Sequence, residues 1–67
     1  DGWVKIIIYD MMGRLVKTLL NSSQTAGSKY IRWNATNDRN EPVPSGLYLY
    51  TIESGKFRQM NKIVLLK

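Results

Sequence analysis

The amino-acid sequence predicts an all-β fold, a small antiparallel β-sandwich, and three observations carry that prediction. Apolar residues recur with a period of two in short segments, as in Val4, Ile6 and Ile8 or Tyr48, Tyr50 and Ile52. Between these segments stand clusters of Gly, Pro, Asn, Asp and Ser, the residues that favour turns. No stretch has a convincing helical period, so about five strands joined by turns account for the chain.

The elements follow in order. From Trp3 to Tyr9 the β-branched density is too high for a short helix, and Ile7 and Tyr9 make the second face apolar as well. That pattern predicts a central strand covered on both sides. Asp10-Met11-Met12-Gly13-Arg14 reads as a tight turn, with Asp opening it and Gly where positive φ is needed. Leu15 to Leu20 resumes as a strand, Asn21 to Gly27 is a polar loop, and Ser28 to Trp33 alternates as a third strand. Leu47 to Glu53 is the next strand, Ser54-Gly55-Lys56 a hairpin turn, and Phe57 to Leu66 the last strand.

The stretch from Trp33 to Tyr50 organises the rest. Asn34, Asn37, Asp38 and Asn40 have short polar side chains that hydrogen-bond nearby backbone and tolerate left-handed conformations, so they shape a loop without a core. Pro42 and Pro44 fix φ and push Glu41 and Val43 toward extended geometry, and Ser45-Gly46 then releases the chain into the next strand. Trp33 is the candidate for the largest core anchor. Asp1-Gly2 is a favoured hairpin pair with nothing before it. It reads as a sandwich lacking its first strand, so that residues 1–67 are one domain cut from a longer protein and the Trp3–Tyr9 strand has an unpaired edge unless another segment covers it.

Composition excludes several kinds of chemistry. Sixty-seven residues allow one domain with a modest core. With neither Cys nor His in the chain, disulfides, a thiolate or imidazole zinc site, a Ser-His triad and a Cys nucleophile are all out of reach. Ten basic against five acidic residues give a net charge of +5, but the basic residues are spread singly, as on solvated strand faces. No window approaches the roughly eighteen apolar residues of a membrane-spanning helix. No cofactor is expected.

Several motifs, taken together and in order, carry a family resemblance. Ile6-Ile7-Ile8-Tyr9-Asp10, then Gly13-Arg14-Leu15-Val16 and Leu19, resembles an I-Y-D-x-x-G-R-x-V-x-x-L signature. Ala26-Gly27, Trp33-Asn34, Pro44-Ser45-Gly46-Leu47-Tyr48 with Tyr50, and a closing Lys62-Ile63-Val64-Leu65-Leu66-Lys67 follow in the same order. The set resembles the C-terminal sorting domain of type IX secretion substrates, a group overlapping the Ig-like domain of the flagellar hook-capping protein. The resemblance implies an Ig-like sandwich at the end of a secreted or cell-surface bacterial protein. It also implies passage through the periplasm, recognition by an outer-membrane translocon and cleavage by a sortase-like peptidase. Two positions depart from the family pattern: Asn34-Ala35 stands where Asp-Gly is usual after the tryptophan, and Glu41 where glycine is usual.

Other sites have plainer competitors. Asn34, Asn37, Asp38, Asn40 and Glu41 carry oxygens suited to calcium, but their spacing lacks an EF-hand pattern and loop-shaping hydrogen bonds explain them better. Nothing in the sequence brings Asp10 and Glu53 together as an acid–base pair, and no enzyme is expected. Tyr30, Arg32, Tyr48, Tyr50, Phe57 and Arg58 resemble a base-stacking surface, with core packing as the simpler reading of the tyrosines, so nucleic acid is not an expected partner. The expectation is a non-catalytic sorting and attachment domain whose Lys62–Lys67 strand is gripped by strand addition. The alternative is a structural Ig-like module packed on a catalytic domain or a neighbouring subunit.

Overall fold

A computed structural model describes residues 2–24 and 32–66. Four strands are present among them: β1 (Gly2–Asp10), β2 (Leu15–Gln24), β3 (Gly46–Ser54) and β4 (Phe57–Leu65). They form one antiparallel sheet in the order β2-β1-β3-β4. The all-β antiparallel character expected from the period-two pattern is therefore the one observed. Among the described residues, however, the layer opposite the sheet is the irregular 32–45 segment rather than a second sheet, so the sandwich is partial.

β1 is central, as its two apolar faces predict. Of the two outcomes expected for this strand, an open edge or one covered by another segment, the covered one is found: β2 flanks it on one side and β3 on the other. Gly2 is already strand and pairs with β2, so it does not turn the chain, while Asp1 lies outside the described residues. The edges of the sheet are β2 and β4 instead. The polar segment expected to be a loop also differs, because residues 21–24 continue β2 against Gly2–Lys5. Pairing partners outweigh low strand propensity there. Of the predicted Ser28–Trp33 strand, 28–31 lie outside the described residues, and Arg32 and Trp33 belong to no strand.

The core sits on the face of β1 that carries Ile6 and Ile8. Ile8 is 1% exposed and clusters with Val43 and Tyr48, ringed by Val16, Leu19, Trp33, Tyr50, Ile63 and Leu65. Register explains the assembly. Ile8 pairs with Tyr50, and Tyr48 pairs with Ile63, so all four project to one side of the sheet. Strict alternation would place Val16 and Leu19 on opposite faces. Two register shifts in the β1–β2 ladder skip these two residues, one between Ile6 and Ile7 and one between Ile8 and Tyr9. Each shift returns an apolar side chain to the core.

Trp33 and Tyr48 close this core from above. Their rings meet edge to face with centroids 5.2 Å apart at 72°. Each aromatic also has its polar atom satisfied by the loop: Trp33 Nε1 donates to the Thr36 carbonyl at 2.8 Å and the Tyr48 hydroxyl to the Pro44 carbonyl at 2.6 Å. Trp33 is thus the anchor the sequence predicts, reached from a loop.

Ile8→Ala should cost about 2–5 kcal/mol, the range for a buried large-to-small change, whereas Tyr48→Phe should cost only about 1 kcal/mol for its one hydrogen bond. Urea unfolding of the two variants checks the ranking. Equal losses would mean that the hydroxyl, and not the packing, fixes the loop.

Candidate interaction edge and its flanking loops

The signature Asp10-x-x-Gly13-Arg14 folds into a self-contained turn at the end of β1. Asp10 Oδ1 accepts from the backbone N–H of Met12 and of Arg14, both at 2.9 Å, and Oδ2 accepts from Arg14 Nε at 2.9 Å. Gly13 stands at φ 85°, and its N–H donates to the Asp10 carbonyl at 3.0 Å. The backbone N–H and side chain of Arg14, together with the Met12 N–H, hold the Asp10 carboxyl below its ordinary value of 3.8, against a smaller opposing cost of desolvation. Tyr9 is half-buried on the other face of the sheet. These residues do architectural work, as their place in the signature implies.

The Asx-rich loop uses its side chains in the same way. Asn37 Oδ1 accepts from the N–H groups of Arg39 and Glu41, at 2.9 and 3.0 Å, and Asn37 Nδ2 donates to Glu41 Oε1 at 3.1 Å. Asn34 Oδ1 accepts from the Thr36 hydroxyl. The Lys17 ammonium donates to the Asn37 carbonyl at 3.2 Å and Asn40 Oδ1 at 3.4 Å. Oxygens considered for calcium are thus engaged by protein donors, and loop shaping is the role they fill. Asp10 and Glu53 cannot act as a pair. They point to opposite faces, and the β1 residue opposite Glu53 is Lys5, five positions or roughly 17 Å from Asp10.

Asp38 links this loop to the edge of the sheet. Its N–H donates to the Val16 carbonyl at 3.1 Å, and its Oδ1 accepts from the Thr18 N–H at 3.0 Å. One residue therefore occupies the outward-facing donor and acceptor of the upper part of β2, as a neighbouring strand would.

β4 has no such cover among the described residues. The pair Ser54–Phe57 closes a two-residue turn with Gly55 at φ 60°, which makes it a hydrogen-bonded pair. Alternation then points Phe57, Gln59, Asn61, Ile63 and Leu65 at β3 and turns the N–H and C=O groups of Arg58, Met60, Lys62 and Val64 outward. Of the expected recognition residues, Lys62, Ile63, Val64 and Leu65 lie on this edge strand and Leu66 just beyond it, while Lys67 lies outside the described residues. Ile63 and Leu65 face the core, whereas Val64 is 63% and Leu66 84% exposed. Arg58 and Met60 were not among the expected recognition residues. The spacing around Gly55-Lys56 was the signal that marks them.

Of the remaining motif residues, Pro44 supplies the acceptor for Tyr48, Gly46 opens β3 at φ 153°, and the Tyr50 hydroxyl accepts from Asn61 at 3.3 Å. Tyr48 is buried and cannot stack a base, and Tyr30 lies outside the described residues.

A single antiparallel sheet capped by a proline-closed loop, with signature residues spent on turns and packing, defines an Ig-like β module. A family model, the FlgD Ig-like domain, matches residues 2–56, and the chain belongs to that family. The match stops in the β3–β4 turn, so β4 lies beyond it. No curated protein and no solved structure matches the chain.

Ala35, one of the two departures from the family pattern, sits at φ 61°, a left-handed conformation. Glycine is the residue that adopts this without cost. The left-handed region costs a non-glycine residue about 1–2 kcal/mol, and glycine gives back about 0.4–1 through the unfolded chain. Ala35→Gly should therefore stabilise the fold by about 0.5–1 kcal/mol, read as a higher urea midpoint; a lower midpoint would refute the account.

Asp10 generates a pH prediction. Because its folded pKa is depressed, its contribution is present above the ordinary carboxylate value and is lost as pH falls through the lowered one. The gap in urea midpoint between the wild type and Asp10→Ala should be widest near neutral pH and close in strong acid. A gap independent of pH would contradict the assignment.

Proposed function

We propose that this chain is a non-catalytic sorting and attachment domain of a larger exported bacterial protein, gripped at β4 by an outer-membrane translocon of type IX. The observation that carries the reading is that β4 is an edge strand. Its outward backbone groups are unpaired among the described residues, and Val64 near its end and Leu66 just beyond it are exposed. A strand in that position offers main-chain hydrogen bonds for affinity and alternate side chains for selectivity. The ordered motif set, from Tyr9-Asp10 to Lys62–Lys67, supplies the type IX context by resemblance. On this reading the domain crosses the periplasm folded, delivers its cargo to the surface or medium and is a substrate for a sortase-like peptidase.

A second reading has its own support. On the sheet face opposite the core, Leu47 is 45% exposed, Met60 56% and Val64 63%. Such a surface suits a structural module packed against another domain of the parent or a neighbouring subunit.

Fusing the chain to a fluorescent cargo in a bacterium with a type IX system separates the two. Under the sorting reading the cargo reaches the surface or medium, and deleting residues 62–67 traps it in the periplasm. Replacing only the exposed Val64 and Leu66 by glutamate should have the same effect while Ile63 and Leu65 keep the fold intact. Normal export of both variants would discard the sorting role.

A further inference from the structure

The sheet's two edges differ in cover and in charge. Asp38 closes the upper part of β2, whereas β4 turns the backbone groups of Arg58, Met60, Lys62 and Val64 outward. The side chains of these four residues all stand on the face opposite the core, and they alternate basic, apolar, basic, apolar. Met60 and Val64 are exposed there, next to exposed Leu47, the partner of Val64. Residues 54–67 hold four of the ten basic residues, Lys56, Arg58, Lys62 and Lys67, and none of the five acidic ones. This segment of the sequence thus carries +4 of the formal +5, and Arg58 and Lys62 stand on the edge strand itself. Arg58 is partly neutralised by Glu53, its cross-strand partner at 3.6 Å, and Lys62 faces Leu49, which offers no counter-charge.

We propose that the outer edge of β4 binds an extended peptide strand that alternates acidic and apolar side chains along one face, so that the two types occupy every second residue of its sequence, as in acid-x-apolar-x. The proposal rests on the reading of this domain as one gripped at its last strand, and it names the chemistry of the partner. Main-chain hydrogen bonds run from the incoming strand to Arg58, Met60, Lys62 and Val64. Its acidic side chains lie beside Arg58 and Lys62, and its apolar ones cover Met60 and Val64. Opposite charges across the new pair set the register, and a one-residue slip would carry all of them to the other face. An anionic membrane or a nucleic acid would use the charge but not the backbone groups.

The test is titration of the isotope-labelled 67-residue chain with the synthetic peptide Glu-Thr-Val-Thr-Glu-Thr-Val-Thr-Glu, matched to the nine residues of β4 and carrying Glu and Val in turn along one face. Saturable binding is expected, with shifts and exchange protection at the amides of Arg58, Met60, Lys62 and Val64 and little change at those of Gln59, Asn61 and Ile63. Lys62→Glu should weaken binding about tenfold, the scale of one charge-assisted contact. Lys62→Pro removes an outward N–H and leaves the β3 ladder whole, so it should abolish binding with the far-UV spectrum unchanged. If the proline variant unfolds, Lys62→Glu carries the test. Equal binding of the same peptide with Lys in place of every Glu would overturn the proposal. So would polyglutamate, duplex DNA or anionic vesicles binding as tightly as the designed peptide and ignoring the proline. The export assay keeps the two readings apart: peptide binding with export indifferent to residues 62–67 removes the sorting role alone, and dependent export without peptide binding removes only the strand site.

Discussion

Everything in this structure depends on how one face of a four-stranded sheet is kept from water. A sheet needs a second layer, and a chain of this length has little to spare for one. Here the loop from Trp33 to Pro44 provides it, setting Val43 and the Trp33 ring on Ile8 and Tyr48. A loop that covers a core must satisfy its own backbone, since buried polar groups without partners are costly. That requirement explains the density of Asn and Asp. Asn37 alone takes two backbone N–H groups, and the Trp33 and Tyr48 polar atoms return to loop carbonyls. The polar residues of the corner and the apolar residues of the core are thus parts of one device.

The same loop also settles which edge of the sheet is open. By bonding to Val16 and Thr18, Asp38 blocks further pairing along the upper part of β2. Packing the core and closing this edge are coupled, because Lys17, between those residues, reaches back to Asn37 and Asn40. β4 is left as the place where another chain adds most readily. Its Arg58 and Lys62 are a familiar guard against indiscriminate pairing, since like charges on identical edges repel. A guard of one sign is also a selector, admitting a strand of the opposite sign.

Local patterns were legible in the sequence, and non-local pairings were not. Val4, Ile6 and Ile8 announced a central strand, Asp10 and Gly13 a turn, Gly55-Lys56 a hairpin, and Trp33 a core anchor, because each rests on propensity or spacing within a few residues. The extension of β2 through residues 21–24 was hidden by their polarity, since its cause is the partner strand and not the segment itself. That β2 and β4 form the edges was not legible, because strand order is set by the long connection that carries β3 across to the far side of β1. A last strand carrying Lys62 to Leu65 was legible, yet the division into core-facing Ile63 and Leu65 and outward Lys62 and Val64 needed the β3 register. Ala35 is a similar case: its departure from the family's usual glycine could be read in the sequence, but the positive φ it occupies came only with the structure.

The face opposite the core is buried only at its centre. Ile7 and Thr51, directly paired in the middle of the sheet, are 6% and 3% exposed there, while Leu47, Met60 and Val64 at the β4 side are about half exposed. Burial thus falls off from the centre toward β4, the direction in which the sheet can still be extended. A strand added at that edge would shield Met60 and Val64 on their open flank and leave the loop-covered core untouched. Extension and core packing therefore draw on different faces of the same sheet, and β4 can accept a partner without any rearrangement of Ile8, Tyr48 or Trp33.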